Sequence, residues 1–135
     1  MNLEEAVLKI EEALKNAEKI CITTHIKVDG DGLGSELALK RAFEKLNKNV
    51  KIINDSKVPS ILSFMLLKDD EVEEFDAEKH SRFIEESDLI IVVDVALLYR
   101  LGRLGPSFNK SKAKKICIDH HLEGEDIFDI TLIEP

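Results

Sequence analysis

The 135-residue sequence contains no tryptophan and one tyrosine, and aromatic residues make up only 5% of it. So few aromatic side chains argue against a base-stacking platform for single-stranded nucleic acid. Basic residues are also scarce, with 19 against 27 acidic ones, which gives a formal net charge of −8. Because affinity for long nucleic acid comes largely from Lys and Arg at the phosphates, this balance excludes a long duplex as a partner.

The sequence also lacks long apolar runs and closely spaced cysteines. The run from Leu89 to Val93 falls far short of the roughly 20 residues of a membrane span, so no membrane partner is predicted. The acidic start has no apolar stretch behind a basic region, as a secretory signal would have. The two cysteines, Cys21 and Cys117, each lie inside an apolar run. They predict buried thiols in a reducing cytoplasm, and a disulfide between them is the alternative.

A regular alternation of helical and strand patterns runs through the sequence. No repeat or linker divides it, so residues 1–135 are interpreted as one domain. Apolar spacing predicts helices over 3–18 and 34–46, a short helix within 59–68, and strands over 20–24, 50–53, 89–94, 115–118 and within 127–133. The acidic stretch 69–76 is predicted to be a solvated loop. Strands that alternate with helices predict an α/β, Rossmann-like fold, with a mostly parallel β-sheet and helices on both faces.

Three of the predicted strands end in chemically reactive side chains. The first runs into His25, the third into Asp94, and the fourth into Asp119-His120-His121. In parallel α/β sheets, ligands bind beyond the carboxyl ends of the strands. We therefore expect these side chains to converge at one edge of the sheet.

The segment after the first strand is a glycine-rich turn in which Asp29 and Asp31 alternate with glycines. Its spacing does not match the G-x-G-x-x-G dinucleotide fingerprint, and its carboxylates would repel a pyrophosphate. Glycine allows the loop to curl, and a mixed set of His25 with two carboxylates suits Mn²⁺ or a similar ion. The alternative is a plain turn with a helix cap, for which Ser35 or Asp31 is the candidate.

The other strand ends are less specific by themselves. Asp94 suits either a bridging metal ligand or a helix cap. His120 and His121 would point to opposite faces of a strand, so both can reach one site only from a loop. Asp119 can hold the second ring nitrogen of a histidine and fix its tautomer, although a solvated turn is the alternative. His80, in an acidic segment, is predicted to be a surface histidine.

Together these motifs resemble the DHH phosphoesterase superfamily, from about residue 10 to the last residue. Asp119-His120-His121 corresponds to the triplet that names it. Asp94 and Arg100 correspond to its second motif, an Asp that closes an apolar strand with an Arg six residues on. The first family motif, roughly H-x-x-P-D-G-D-A-x-G-S, is matched by His25, Asp29, Gly30, Asp31, Gly34 and Ser35.

The resemblance implies a centre with two divalent ions, with Mn²⁺ expected first and Mg²⁺ or Co²⁺ as alternatives. One ion is expected to be held by His25, Asp29 and Asp94. The second is expected to be held by Asp31, Asp94 and His120, with Asp94 bridging the two.

The resemblance also implies a phosphoesterase, closest to the subgroup that hydrolyses nano-RNA or 3′-phosphoadenosine 5′-phosphate, with small nucleotides or short oligonucleotides as substrates. His121 is expected to contact the substrate phosphate or protonate the leaving group, and Asp119 to orient a histidine. These two are the predicted catalytic residues, and Arg100 is a candidate phosphate contact. A metal- or nucleotide-binding module without turnover, and a pyrophosphatase-like activity, are the alternatives.

The sequence departs from the family pattern in several places. Val28 stands where proline is usual, Gly32 where alanine is usual, and no Asn closely follows the triplet. The family's further metal-ligating Asp and its C-terminal substrate-binding domain are absent from residues 1–135, which we interpret as the N-terminal domain. Asp126 and Asp129 are the nearby candidates for that ligand. An apolar patch left uncovered by the second domain would predict a homodimer.

Overall fold

The computed structural model describes residues 1–135 and contains six strands and four α-helices. The strands are β1 (Lys19–Thr23), β2 (Asn49–Asn54), β3 (Val72–Glu74), β4 (Leu89–Val93), β5 (Lys114–Asp119) and β6 (Ile130–Ile133). The α-helices are α1 (Leu3–Asn16), α2 (Gly30–Lys45), α3 (Ala77–Glu86) and α4 (Gly105–Lys110). Segments of 3₁₀ helix lie at Ser60–Met65, Asp69–Glu71 and Leu98–Leu104. None of the helices has the length and apolarity needed to traverse a bilayer.

One sheet organises the molecule, with the strand order β3-β2-β1-β4-β5-β6. Every neighbouring pair is parallel, and all residues of β4 are buried, as expected for an apolar strand covered on both faces. Leu33 and Leu37 of α2 join one apolar cluster, while Ile84 of α3 and Phe108 of α4 join another. Strand residues alternate between the two clusters, which therefore lie on opposite faces of the sheet. The predicted α/β fold with helices on both faces is confirmed.

Helix α2 begins at Gly30, several residues before the predicted start. Its cap is Asp29, whose Oδ1 accepts a hydrogen bond from the Gly32 N–H at 2.8 Å. The prediction that Ser35 or Asp31 caps the helix is therefore wrong. Apolar periodicity could not reveal the first turn, which is built of glycine and aspartate. The Asp29 cap and the acidic Asp31 in the first turn offset the low helix propensity of glycine there.

The acidic segment after residue 68 is more ordered than predicted. Val72–Glu74 forms an edge strand beside β2, and α3 follows it. His80 is 1% exposed, so its predicted surface position is wrong. The ring is satisfied locally, because Nδ1 accepts from the Asp76 N–H at 2.9 Å and Nε2 lies 3.2 Å from Glu73 Oε1. Both partners are acidic residues, and the acidic composition of this segment is the reason that the sequence predicts solvent exposure.

The cysteines behave as predicted. Cys21 and Cys117 are free and buried, in β1 and β5. Burial raises the pKa of Cys117 to about 12, so this thiol stays protonated at neutral pH. The disulfide alternative is not found.

An ion pair ties the segment between β2 and β3 to α2. Arg41 donates through Nε to Glu71 Oε2 and through Nη2 to Glu71 Oε1, each at 3.0 Å. Its Nη2 also donates to the carbonyl oxygen of Met65 at 2.9 Å, and the Leu67 N–H donates to Glu71. Glu71 is buried. Hydrogen bonding from Arg41, joined by the backbone donors, lowers the pKa of Glu71 to about 2.

Glu71→Gln is expected to lower the free energy of unfolding most at neutral pH. The folded-state pKa of Glu71 is depressed, so its contribution is complete above the ordinary value of 4.5 and is lost as the pH falls towards about 2. Urea titrations of the wild type and the variant between about pH 7 and pH 3 test this. Glu86→Gln, in the exposed Arg82–Glu86 pair, is the matched control with a small effect throughout. A Glu71→Gln effect that is constant with pH would contradict the expectation.

Candidate metal centre

The strand order brings three reactive strand ends side by side. The chain moves outward from β1 through β2 to β3 and then returns to the other side of β1 with β4. Such a reversal leaves a crevice beyond the carboxyl ends of the central strands, where open α/β sheets bind ligands. Asp94 directly follows β4, and Asp119 is the last residue of β5. His25 lies two residues beyond the end of β1. The convergence expected from the sequence is therefore a result of the topology.

A cleft of about 390 Å³ lies at this crevice. Asp126 and Asp129 do not line it, and Asp129 instead accepts a hydrogen bond from the Lys115 N–H at 2.8 Å, near the opposite end of β5. Neither acidic residue is therefore placed to supply a further ligand. The residues predicted for the site all line the cleft: His25, Asp29, Asp31, Asp94, Arg100, Asp119, His120 and His121.

His25 and Asp29 form the first half of the centre with Asp94. The Nδ1 atom of His25 lies 2.7 Å from the carbonyl oxygen of Ile26. A carbonyl oxygen only accepts, so Nδ1 carries the ring proton and donates it. Nε2 then faces Asp94 Oδ2 at 3.3 Å and Asp29 Oδ2 at 3.6 Å. This orientation and tautomer are typical of a metal-ligating histidine with a backbone partner on its other nitrogen.

Asp94 lies at the centre, and its two oxygens face different partners. Oδ2 faces His25, while Oδ1 lies 2.9 Å from His120 Nε2. The residue is 7% exposed and has a φ of +60°, a left-handed conformation that Asp and Asn adopt more readily than other non-glycine residues. Burial, supported by the negative charges of Asp31 and Asp29, raises the pKa of Asp94.

His120 and Asp31 form the second half. His120 Nε2 lies 3.1 Å from Asp31 Oδ2, in addition to its contact with Asp94. The ring of His121 lies beside it, with centroids 4.3 Å apart. Ligand atoms of Asp94, Asp119, His120 and His121 all lie within 4.8 Å of one another. Asp31, Asp94 and His120 are therefore close enough together to hold a cation.

Asp119 lies beneath the two histidines. Its Oδ1 accepts from the backbone N–H of His120 at 2.8 Å and lies 2.6 Å from His121 Nδ1. Its Oδ2 is buried and has no hydrogen-bond partner, which is rare for a carboxylate oxygen inside a protein. The contact with Nδ1 fixes the His121 ring and leaves its Nε2 for the cleft.

This donor set fits divalent cations. Imidazole nitrogens and carboxylate oxygens together suit ions such as Mn²⁺. In each half a histidine Nε2 faces two carboxylate oxygens, and no Lys or Arg forms an ion pair with Asp29, Asp31 or Asp94. A cation between these groups would neutralise the carboxylates that otherwise repel one another, and a carboxylate oxygen of Asp119 lies within 4.8 Å of ligand atoms of Asp94 and His120.

Comparison with known proteins agrees with this geometry. The profile of the DHH family, N-terminal domain, matches residues 19–135. The chain belongs to the DHH family.

The DHH domain also has a close structural neighbour. The crystal structure of an exopolyphosphatase-related protein from Bacteroides fragilis superposes with a TM-score of 0.93 at 30% sequence identity. The match covers 98% of this chain and 39% of that protein, so the chain spans well under half the length of its neighbour. No curated protein sequence matches the chain.

Arg100 lies in the irregular 3₁₀ loop segment Leu98–Leu104, which is hydrogen-bonded to the rest of the DHH site. Its carbonyl oxygen accepts from the Ile26 N–H at 2.7 Å. The N–H and Nε of Arg103 each donate to Asp55 Oδ1 at 2.9 Å. Gly102 has a φ of +60°, and a Cβ there would lie 2.5 Å from the Asp55 carboxylate, so the loop requires glycine. These contacts hold Arg100 at the rim of the cleft.

Sequence reasoning missed the residues that support the DHH site from below. Glu36, Asn54 and Thr24 are fully buried and hydrogen-bonded under the strand ends. A glutamate in an amphipathic helix resembles a solvent-facing residue, so the sequence gives no signal for Glu36. Asn54 follows an apolar strand just as Asp94 does, and that similarity could have identified it.

Proposed function

We propose that the chain is the catalytic domain of a phosphohydrolase that uses two divalent ions, with Mn²⁺ as the first candidate. The proposal rests on Asp94, whose two oxygens face two different sets of ligands. His25 and Asp29 are on the Oδ2 side, and His120 with Asp31 is on the Oδ1 side. Two-ion hydrolytic sites hold their ions about 3.5–4 Å apart, a separation that one bridging carboxylate spans.

The proposed hydrolysis uses the bound ions together with side chains of the cleft. When bound, such ions neutralise charge on the phosphoryl oxygens and lower the pKa of a water molecule. His121, oriented by Asp119, presents Nε2 to the cleft and is proposed to donate a proton to the leaving oxygen. Arg100 at the rim is proposed to bind phosphate charge.

Small nucleotides or short oligonucleotides are the proposed substrates. The cleft, about 390 Å³, has the size of a small-molecule site, and the net charge of −8 opposes binding of a long duplex. The description of the structural neighbour as exopolyphosphatase-related makes a short polyphosphate chain the second candidate.

Divalent ions are expected to stabilise the chain if the proposal is right. An ion that binds only the folded state adds about 2.7 kcal/mol to the free energy of unfolding at a concentration 100-fold above its Kd. Thermal unfolding with added Mn²⁺, Mg²⁺ or Co²⁺ measures this, and addition of a chelator should reverse it. An unchanged melting temperature with all three ions would contradict the proposed centre.

Hydrolysis of three substrates then separates the candidate functions. A 5′-phosphorylated dinucleotide, 3′-phosphoadenosine 5′-phosphate and tripolyphosphate are incubated with the Mn²⁺-loaded chain. Turnover of the first two supports the proposed substrate class, and turnover of tripolyphosphate alone supports the second candidate. Metal binding without any turnover would indicate a metal-binding module that needs further protein for catalysis.

A further inference from the structure

Three buried side chains form a hydrogen-bonded relay directly under the metal centre. Glu36 Oε1 accepts from Asn54 Nδ2 at 2.8 Å. Asn54 Oδ1 accepts from the Thr24 N–H at 3.2 Å, and Thr24 Oγ1 donates to the Val93 carbonyl oxygen at 2.8 Å. Glu36, Asn54 and Thr24 are each 0% exposed. The relay therefore connects α2, β2, the end of β1 and the end of β4 without any contact with solvent.

Each group in the relay has one orientation. The backbone N–H of Thr24 can only donate, so the atom of Asn54 that faces it is the side-chain oxygen. The Asn54 amide nitrogen is then turned towards Glu36, whose Oε1 accepts from it. Burial raises the pKa of Glu36 well above its usual range.

The relay lies just beyond the point where the backbone hydrogen bonds of β1 to its neighbouring strands end. The register of β1 with β2 stops before Thr24, and that with β4 stops at Thr23. Beyond this point the Asn54 side chain, on the β2 side, accepts a hydrogen bond from the Thr24 N–H. On the β4 side, the Thr24 hydroxyl donates to the Val93 carbonyl oxygen. Side-chain hydrogen bonds thus continue the connection of β1 to both neighbouring strands beyond the end of its backbone ladders.

The next residue on each connected strand is a predicted metal ligand. His25 follows Thr24 and Asp94 follows Val93, and the facing atoms His25 Nε2 and Asp94 Oδ2 are 3.3 Å apart. We propose that the Glu36–Asn54–Thr24 relay is a positioning device that sets the separation of His25 and Asp94, and thereby the affinity of the centre for a divalent ion. The inference rests on the proposed function, because it concerns the same centre.

Thr24→Val and Thr24→Ser form a matched pair of variants. Val keeps the shape of Thr24 and removes the hydroxyl, whereas Ser keeps the hydroxyl and removes a buried methyl group. Titration calorimetry with Mn²⁺ is expected to show an affinity about 10-fold lower in Thr24→Val, because loss of a residue that orients metal ligands typically costs about 10–100-fold. Thr24→Ser is expected to keep the wild-type affinity even though its metal-free melting temperature falls. Asn54→Ala, which breaks the relay in the middle, is expected to lose affinity within the same range of about 10–100-fold.

Ser111→Ala is the control for loss of a buried hydroxyl elsewhere. Ser111 Oγ donates to the Ile84 carbonyl oxygen at 2.8 Å, at the end of the sheet away from the cleft. This variant is expected to lower the melting temperature and leave Mn²⁺ affinity unchanged. If Thr24→Val and Asn54→Ala also lower only the melting temperature, the relay is merely structural and the inference is overturned. A wild type that binds no divalent ion overturns the proposed function itself, and the relay's role with it.

Discussion

Asp94→Asn is expected to abolish metal-dependent hydrolysis while the chain stays folded. The amide keeps the shape of the carboxylate but cannot bridge two cations with two anionic oxygens. The loss of activity should exceed about 100-fold, the upper end of the cost of changing a residue that only orients a ligand. The substitution would remove a proposed ligand from both halves of the centre. Initial rates with Mn²⁺ and the Mn²⁺ affinity from calorimetry measure the effect.

The substitution should cost little stability. Asn tolerates the left-handed backbone of Asp94, at φ +60°, about as well as Asp does. Burial already raises the pKa of Asp94, so a neutral amide removes a charge that the metal-free protein holds unfavourably. Asp126→Asn, which changes the same charge outside the cleft, is the matched control and should behave as the wild type. Full residual activity in Asp94→Asn would refute its bridging role.

Asp119→Asn is expected to lower kcat about 10–100-fold through His121. The carboxylate oxygen that lies 2.6 Å from His121 Nδ1 orients the ring, and an amide placed there either loses that contact or brings a buried unpaired N–H. Steady-state kinetics with saturating Mn²⁺ should show the loss mainly in kcat, since the proposed ligands His25, Asp94 and His120 remain.

A double substitution distinguishes orientation of His121 from direct metal ligation by Asp119. If Asp119 acts through His121, then Asp119→Asn should cost little further activity on a His121→Ala background. Losses that multiply, together with an Mn²⁺ affinity as low as that of Asp94→Asn, would instead make Asp119 a metal ligand. Its ligand atoms lie close enough to those of Asp94 and His120 for either role.

The position of the site could be predicted because it depends on chain order. An apolar strand followed by His25, Asp94 or Asp119 is visible in the sequence, and the rule for parallel sheets brings such ends together. The motif spacing adds the resemblance to the DHH family. The roles of the individual site residues remain predictions that the variants above are designed to test.

Features that depend on tertiary partners could not be predicted in this way. His80 looks like a surface residue until Glu73 and Asp76 are placed around it. Glu36 looks solvent-facing until Asn54 is brought against it by the sheet. In each case the residue type argues for exposure, and hydrogen-bond partners that the fold places around the buried side chain reverse the outcome.

The arrangement of the strand ends also determines when the centre can form during folding. His25 and Asp94 are 69 residues apart in the sequence, and Asp94 and His120 are 26 apart, so the full ligand set exists only after β1, β4 and β5 have paired. Such non-local pairing forms slowly, because closing the long intervening loops costs entropy before the contacts form. If the proposed centre binds an ion only when all three strand ends have met, the stabilisation should appear mainly as slower unfolding. Such an ion would prolong the lifetime of the folded chain and would not speed its folding.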